Sequence, residues 1–362
     1  MLRESLRNRT KRNSQQRPVL LLSLRHLRQR YLFLLAQCFS RCGFFVHLDL
    51  PISRQSYWDT DSYARYVFEE PQLKATQDLP EDRAQAYLCL DHDEIDVRGW
   101  GKVIRLDYDI KEGLSRPGAV IVPYWMHPNV YRHGLADTLS YWRHGQRPVR
   151  LFFAGNLSPD RYTAKGPLNQ DKLGRREILE HILEDFGSRT VLVRDPDQLK
   201  DIMARGSRGI VIFDGTKARL SREEWFPALG KCEYFLALPG VVMPMSHNLI
   251  EAMGLGCVPV CNYPEWLSPR LVNGRDCLAF TDRQSLGLAI EAVLGADPGH
   301  TARLRTGSLG YFATNLQPEA FLRPVLQSPE RMVTVYVNAE EVSEKAALAA
   351  KERQADMRAW SL

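Results

Sequence analysis

The chain has seven cysteines in 362 residues (Cys38, Cys42, Cys89, Cys232, Cys257, Cys261 and Cys277), but no CxxC pair and no zinc-ligand spacing. That absence excludes a cysteine metal site, and several of the thiols sit in apolar stretches such as CVPVC, so they read as reduced core residues. Long hydrophobic runs are also missing. PVLLLSL and YLFLLAQCF are too short to cross a bilayer and are separated by RHLRQR, which excludes a transmembrane helix there. No small-residue cleavage site follows the first run, so no signal peptide is expected. A reducing compartment, most simply the cytoplasm, is the expected setting. No repeat at a solenoid period is visible, and no RNA- or DNA-binding motif appears, so no nucleic-acid partner is expected.

Acid is scarce in the opening segment. MLRESLRNRTKRNSQQR carries five arginines and one lysine against Glu4 alone, out of a net charge of +5 for the whole chain. Residues 1–17 therefore read as a disordered basic tail, either solvated or touching a polyanion or anionic lipid, the latter placing the protein at the inner face of a membrane. The whole chain is 44% hydrophobic and 25% charged, ordinary globular composition at a length that suggests two domains.

From Pro18 the pattern alternates. The apolar run PVLLLSL reads as a buried strand, Arg25 to Cys42 has helical spacing, and GFFVHLDL reads as a second strand, the opening of a parallel α/β sheet. AYLCLDH, KVIRLDYD and AVIVPYW are further strand candidates, and the first domain is expected over 18–145. A second series runs from RPVRLFFAG through TVLVRD, GIVIFDG, YFLALPG and CVPVCN, with helices between them, and is expected over 148–325 as a doubly wound domain. Residues 330–362 are expected to return and pack on the first domain, ending in an Ala-, Glu- and Lys-rich helix.

The run beginning at Tyr234, YFLALPGVVMPMSHNLIEAMGLGCVPVCNYPEW, carries the chemistry. It reads as a strand, a Pro-Gly turn at Gly240, a Ser-His-Asn approach to a helix start, and one helical turn to Glu251. A helix N-terminus at the carboxyl end of a parallel sheet offers free N–H groups and a positive dipole to phosphate. Ser246 is placed as an N-cap or diphosphate donor, His247 as a sugar or diphosphate contact or a cap neighbour, and Glu251 as an acceptor for ribose hydroxyls.

Ser246-His247-Asn248-Leu249-Ile250-Glu251-Ala252 followed by Gly256-Cys257-Val258-Pro259-Val260 resembles the C-terminal signature of exostosin-like glycosyltransferases. LFFAGN (Leu151 to Asn156) and the Arg175-Arg176-Glu177-Ile178-Leu179 helix also resemble that family's entry strand and following helix. The matches cover roughly half the chain. The resemblance implies a GT-B fold, two Rossmann-like doubly wound domains facing a central cleft, with a nucleotide-sugar donor bound by the second. It departs from the family at Asn248, where arginine is common. Retaining GT-B enzymes often place two acids at the spacing of Met243 and Glu251, and the methionine here points to an inverting mechanism.

Further donor contacts are expected at Gly155 and Asn156, where a strand-end turn lets backbone approach phosphate, and at Arg161 and Lys165 in the basic loop that follows, which can neutralise a departing diphosphate without a metal. Asp214, at its strand's carboxyl edge, is either a sugar or base contact or the cap of a turn with Gly215. An inverting transfer needs a base. His127, flanked by Tyr124 and Trp125, and Asp109 are the leading candidates, with Asp49 and Asp107 behind them. DHDE at Asp91 to Glu94 reads as a solvated turn, and no metal or other cofactor is expected. The acceptor is expected to be a saccharide or lipid-linked saccharide in polysaccharide biosynthesis. A catalytically silent saccharide-binding or assembly subunit and a sugar-nucleotide epimerase are the alternative readings.

Overall fold

The computed structural model describes residues 17–27, 29–49, 63–70, 72–75, 80–158, 168 and 171–359. The expected tail lies outside them apart from Arg17, and so do Arg161 and Lys165. In chain order the strands are β1 (Val19–Ser23), β2 (Phe45–Asp49), β3 (Leu73–Ala75), β4 (Tyr87–Leu90), β5 (Lys102–Asp107), β6 (Val120–Ile121), β7 (Val149–Gly155), β8 (Thr190–Val193), β9 (Ser207–Asp214), β10 (Cys232–Ala237), β11 (Val258–Cys261), β12 (Leu278–Ala279) and β13 (Met332–Tyr336). They form two parallel sheets in two compact units, Met1–Pro123 with Gln317–Leu362, and Tyr124–Leu316. The α/β, two-unit, Rossmann-like class expected from the alternation is the class observed.

The first unit's sheet has the order β3-β2-β1-β4-β5-β13-β6, with every pairing parallel. Leu20, Leu21 and Leu22 are buried on both faces of β1, as a parallel strand covered by helices requires. Helix Gln29–Arg41 buries the YLFLLAQCF run. From β1 the chain moves outward through β2 to β3 and returns to β4 on the other side of β1, so the carboxyl ends of β1 and β4 flank a topological switch point. Late in the chain, β13 enters between β5 and β6, and the apolar run AVIVPYW yields only the two-residue edge strand β6.

Both expected domain boundaries move. Helix Pro318–Gln327, read with the second domain, belongs to the first unit. Its Phe321, Leu322 and Val325 are buried, and Phe321 meets Phe39 edge-to-face at 5.7 Å. Residues 124–145, read with the first domain, belong to the second unit. Tyr124 stacks on His247 at 5.1 Å, and the His247 Nδ1 lies 2.6 Å from the Trp125 carbonyl oxygen.

The second unit's sheet has the order β12-β11-β10-β7-β9-β8, again all parallel. Leu151, Phe153, Ile210, Ile212, Tyr234, Leu236, Val258 and Val260 build one core against Ile178 and Ile182 of helix Arg175–Phe186 and Ile290 and Val293 of helix Arg283–Gly295. β7 lies between β9 and β10, and the chain crosses it from one flank to the other, so the switch point falls at the carboxyl end of β7. Among the described residues no helix is long and apolar enough to cross a membrane.

Candidate functional site

Where β7 and β9 end, the second unit has a cavity of about 340 Å³. Its wall is built from Ala154, Gly155 and Asn156 at the end of β7, Phe213 and Gly215 at the end of β9, the loop and helix start Ala218–Arg222, Trp225, Phe226, Asn248, Glu251, and His127, Asn129, Val130 and Leu135. All of these residues belong to the one unit.

The two strand ends are locked to each other. Gly215 donates its N–H to the Gly155 carbonyl at 2.8 Å, and a Cβ on Gly215 would lie 3.0 Å from that same carbonyl. Asn156 Oδ1 accepts from the Ser158 N–H at 2.7 Å, closing a local turn. Arg175 donates to the Asn156 carbonyl and to the Pro239 carbonyl, both at 3.2 Å, and its guanidinium lies over the Phe153 ring. One side chain of helix Arg175–Phe186 thus joins the loops after β7 and β10.

Helix His247–Gly254 begins beside this lock, with Ser246 as an extended N-cap whose hydroxyl makes no capping bond. Asn248 lines the cavity and donates from Nδ2 to the Ala154 carbonyl at 3.2 Å, tying the helix start to β7. Glu251 is 2% exposed and holds two further elements. Its Oε1 accepts the His127 N–H at 2.8 Å and its Oε2 accepts the Trp225 indole N–H at 2.6 Å. A buried carboxylate receiving two well-aligned donors is compensated for its desolvation. Glu251 also lines the cavity, and a carboxylate oxygen can accept more than one hydrogen bond.

His127 caps helix Pro128–Arg132, its Nδ1 accepting the Asn129 N–H at 3.3 Å. With Nδ1 accepting, the neutral ring carries its proton on Nε2. On the rim, Arg222 pairs with Glu223 at 3.2 Å, whereas Arg219 is exposed and has no carboxylate partner among the described residues. Partial burial, with Arg222 and Arg132 nearby, holds the His133 imidazole below its ordinary range. Among the described residues no group of His, Cys, Asp or Glu is arranged to hold a metal ion.

Of the expected site residues, Gly155, Asn156, His127, Asn248 and Glu251 meet on this cavity. Arg161 and Lys165 lie outside the described residues, and Ser246, Asp214, His247, Gly240 and Asp109 do not line it. Asp214 closes its own turn, its Oδ1 accepting the Thr216 N–H at 2.9 Å and hydroxyl at 2.6 Å. His247 is buried behind the wall against Tyr124 and Trp125. Gly240 sits in the turn after β10 with its N–H on the Pro244 carbonyl. Asp109 lies in the first unit, where it caps helix Ile110–Ser115 through the Glu112 N–H at 3.1 Å. Trp225 and Arg219 were missed. Nothing in a helical Trp announces a partner outside its helix, but Arg219, in the loop directly after strand GIVIFDG, occupied a position where sites gather.

The Gly240 turn supplies a direct test of this local frame. A Cβ there would stand 2.5 Å from the Met243 carbonyl oxygen, so Gly240→Ala must displace the turn leading to the helix. The expected cost is about 1–3 kcal/mol, read from urea unfolding, as for other forced insertions of volume into packed sites.

Compared with known proteins, the chain matches no family model and no curated protein sequence. Among solved structures it is similar to HepE from Anabaena in complex with UDP, at 10% identity, over 86% of this chain and 98% of that one, with a TM-score of 0.45. It is similar to a glycosyltransferase from Rickettsia africae at 9% identity, over 86% and 98% of the two chains, with a TM-score of 0.48. It is also similar to sucrose-phosphate synthase from Thermosynechococcus elongatus at 12% identity, over 86% and 97%, with a TM-score of 0.42.

Proposed function

We propose that the chain is a glycosyltransferase of the GT-B class and that the cavity at the carboxyl ends of β7 and β9 holds its nucleotide-sugar donor. The single observation that carries this reading is the convergence of Gly155, Asn156, Asn248 and Glu251 on one cavity at the sheet's switch point, beside a helix N-terminus and under Arg219. Those are the parts a nucleoside diphosphate calls for: a carboxylate for ribose hydroxyls, close backbone, and positive charge for phosphate. The exostosin-like signature from Ser246 to Val260 supports the same assignment. In this reading the leaving diphosphate is stabilised by backbone N–H groups and guanidinium charge without a metal. Met243 stands where a retaining enzyme's first acid is expected, which favours inversion. The acceptor is a saccharide or lipid-linked saccharide, and the basic tail is the segment for contact with an anionic membrane surface.

A thermal-shift screen of the full chain against UDP, GDP, CMP and ADP tests the donor site. One nucleotide is expected to stabilise the protein by about 2–4 kcal/mol at saturating concentration. Arg219→Gln is expected to weaken the diphosphate about tenfold, in the range for loss of one charge-assisted hydrogen bond, while leaving the corresponding nucleoside unaffected. Absence of any nucleotide response in folded protein would overturn the reading. Nucleotide binding without sugar turnover would instead identify a silent binding subunit.

A further inference from the structure

A second polar constellation lies in the first unit, and the donor reading leaves it unused. β1, β2 and β4 end at Ser23, Asp49 and Leu90, with Asp91 and His92 directly after β4, so Ser23 and His92 stand on either side of that sheet's switch point. Ser23 is fully buried and His92 is 9% exposed. Ser23 Oγ donates to Asp49 Oδ2 at 2.6 Å and lies 2.9 Å from His92 Nε2. A hydroxyl has one proton. With that proton on Asp49, the serine accepts from His92, and Nε2 must carry the imidazole hydrogen. His92 Nδ1 accepts the Glu94 N–H at 3.1 Å, which requires the same tautomer. Asp49 Oδ2 also accepts from Arg25 Nη2 at 3.1 Å. Its Oδ1 accepts nothing from the described residues, and the side chain is 20% exposed.

An Arg25–Asp49 surface pair would need no such backing. Burying a serine and a histidine to orient one carboxylate costs desolvation, and a defined direction for Oδ1 is what the arrangement achieves. The surrounding charge limits what that oxygen can meet. Asp49, Asp91, Asp93, Glu94 and Asp107 share this edge of the sheet with Arg25 and Arg105. Arg105 is paired with Asp93 and Arg25 with Glu94. Asp91 is satisfied by the Arg25 and His26 N–H groups and the Tyr108 hydroxyl. Among the described residues acids outnumber cations at this edge, which disfavours phosphate and carboxylate ligands and favours a neutral hydroxyl donor. It is opposite in sign to the cavity rim of the second unit.

We propose that Asp49, held by the positioning residues Ser23 and His92, binds a hydroxyl group of an uncharged saccharide, the acceptor class of this enzyme. The word acceptor rests on the glycosyltransferase reading; the hydroxyl-binding carboxylate does not. The test is saturation-transfer NMR on the full chain with methyl glucoside, methyl galactoside and methyl N-acetylglucosaminide, and with glucose 6-phosphate as the charged control. Transfer to at least one neutral glycoside is expected, and none to the sugar phosphate. Asp49→Asn should weaken the glycoside about tenfold, the effect of losing one hydrogen bond to a charged group. His92→Leu and Ser23→Ala should also weaken it, whereas His92→Gln, whose amide still donates to Ser23, should restore it, a rescue that general loosening of the fold would not produce.

Nucleotide thermal shifts on the same samples separate the two readings. A chain that binds nucleotide but no neutral glycoside overturns this proposal, as does one that prefers the sugar phosphate. Glycoside binding that depends on Asp49 in a chain without nucleotide response overturns the donor reading and leaves this site standing. Should Asp49→Asn fail to fold, Asp49→Glu keeps the charge but displaces the oxygen, and undiminished transfer there is equally contrary.

Discussion

Glu251→Gln is expected to destabilise the second unit by about 2 kcal/mol and Glu251→Ala by about 2–4 kcal/mol, because each leaves buried donors without acceptors. The reasoning lies in the partners. The His127 N–H and the Trp225 indole N–H can only donate, and both meet the carboxylate at hydrogen-bond distance. A glutamine side chain has one carbonyl oxygen and one NH₂, so in either orientation one N–H faces another. For a unit of this size the alanine change corresponds to a melting-temperature loss of roughly 5–10 °C. Trp225→Phe removes one donor and leaves the carboxylate intact, so it should cost less than either. Scanning calorimetry on the three variants orders them. Nucleotide titration then separates the two roles of Glu251. If it also receives ribose hydroxyls, Glu251→Gln weakens the nucleotide about tenfold or more, whereas Trp225→Phe leaves that contact available. Equal affinity in wild type and Glu251→Gln would confine this residue to bracing the fold.

Arg150→Met is the second large effect, expected to cost about 3 kcal/mol with no change in nucleotide affinity. Arg150 is 1% exposed near the start of β7, the end of the strand away from the cavity. Its Nη1 pairs with Glu233 Oε2 at 2.6 Å, and its Nη2 donates to the Ala296 carbonyl at 3.0 Å. Removing the cation strands a part-buried carbonyl and a mostly buried carboxylate, although Arg208, 3.5 Å from the same Glu233 oxygen, keeps part of the compensation. Breaking one half of a buried pair costs more than replacing both halves by apolar groups of similar volume. The double change Arg150→Met with Glu233→Met should therefore recover much of the loss, and a double-mutant cycle in urea measures the coupling. Additive losses would show that the carbonyl contacts, not the ion pair, dominate.

Much of the fold was legible because its causes are local. GFFVHLDL, RPVRLFFAG, GIVIFDG and YFLALPG each combine an apolar run with a turn signal at its carboxyl end, PVLLLSL is an apolar run that stops at charged residues, and each contains a strand of the parallel sheets. The boundaries were less legible because they depend on which surface a segment covers. Phe321 and Val325 give helix Pro318–Gln327 an apolar stripe suited to either unit, and only docking against Phe39 decides between them. AVIVPYW has the composition of a long strand, but only Val120–Ile121 pair, while Tyr124 and Trp125 are drawn to His247.

The site divides along the same line. Sequence alone determined two α/β units, the strand ends at Gly155 and Asp214, and the helix start that carries Asn248 and Glu251, since strand alternation and capping chemistry are written in neighbouring residues. Only tertiary structure decided that Glu251 receives donors from His127 and Trp225, that Asp214 closes its own turn, that Asp109 is a helix cap, and that Ser23, Asp49 and His92 form one hydrogen-bonded chain. Those pairings join residues far apart along the chain, or choose between two partners within reach, and a hydrogen bond depends on the positions of both atoms, which residue identity does not specify.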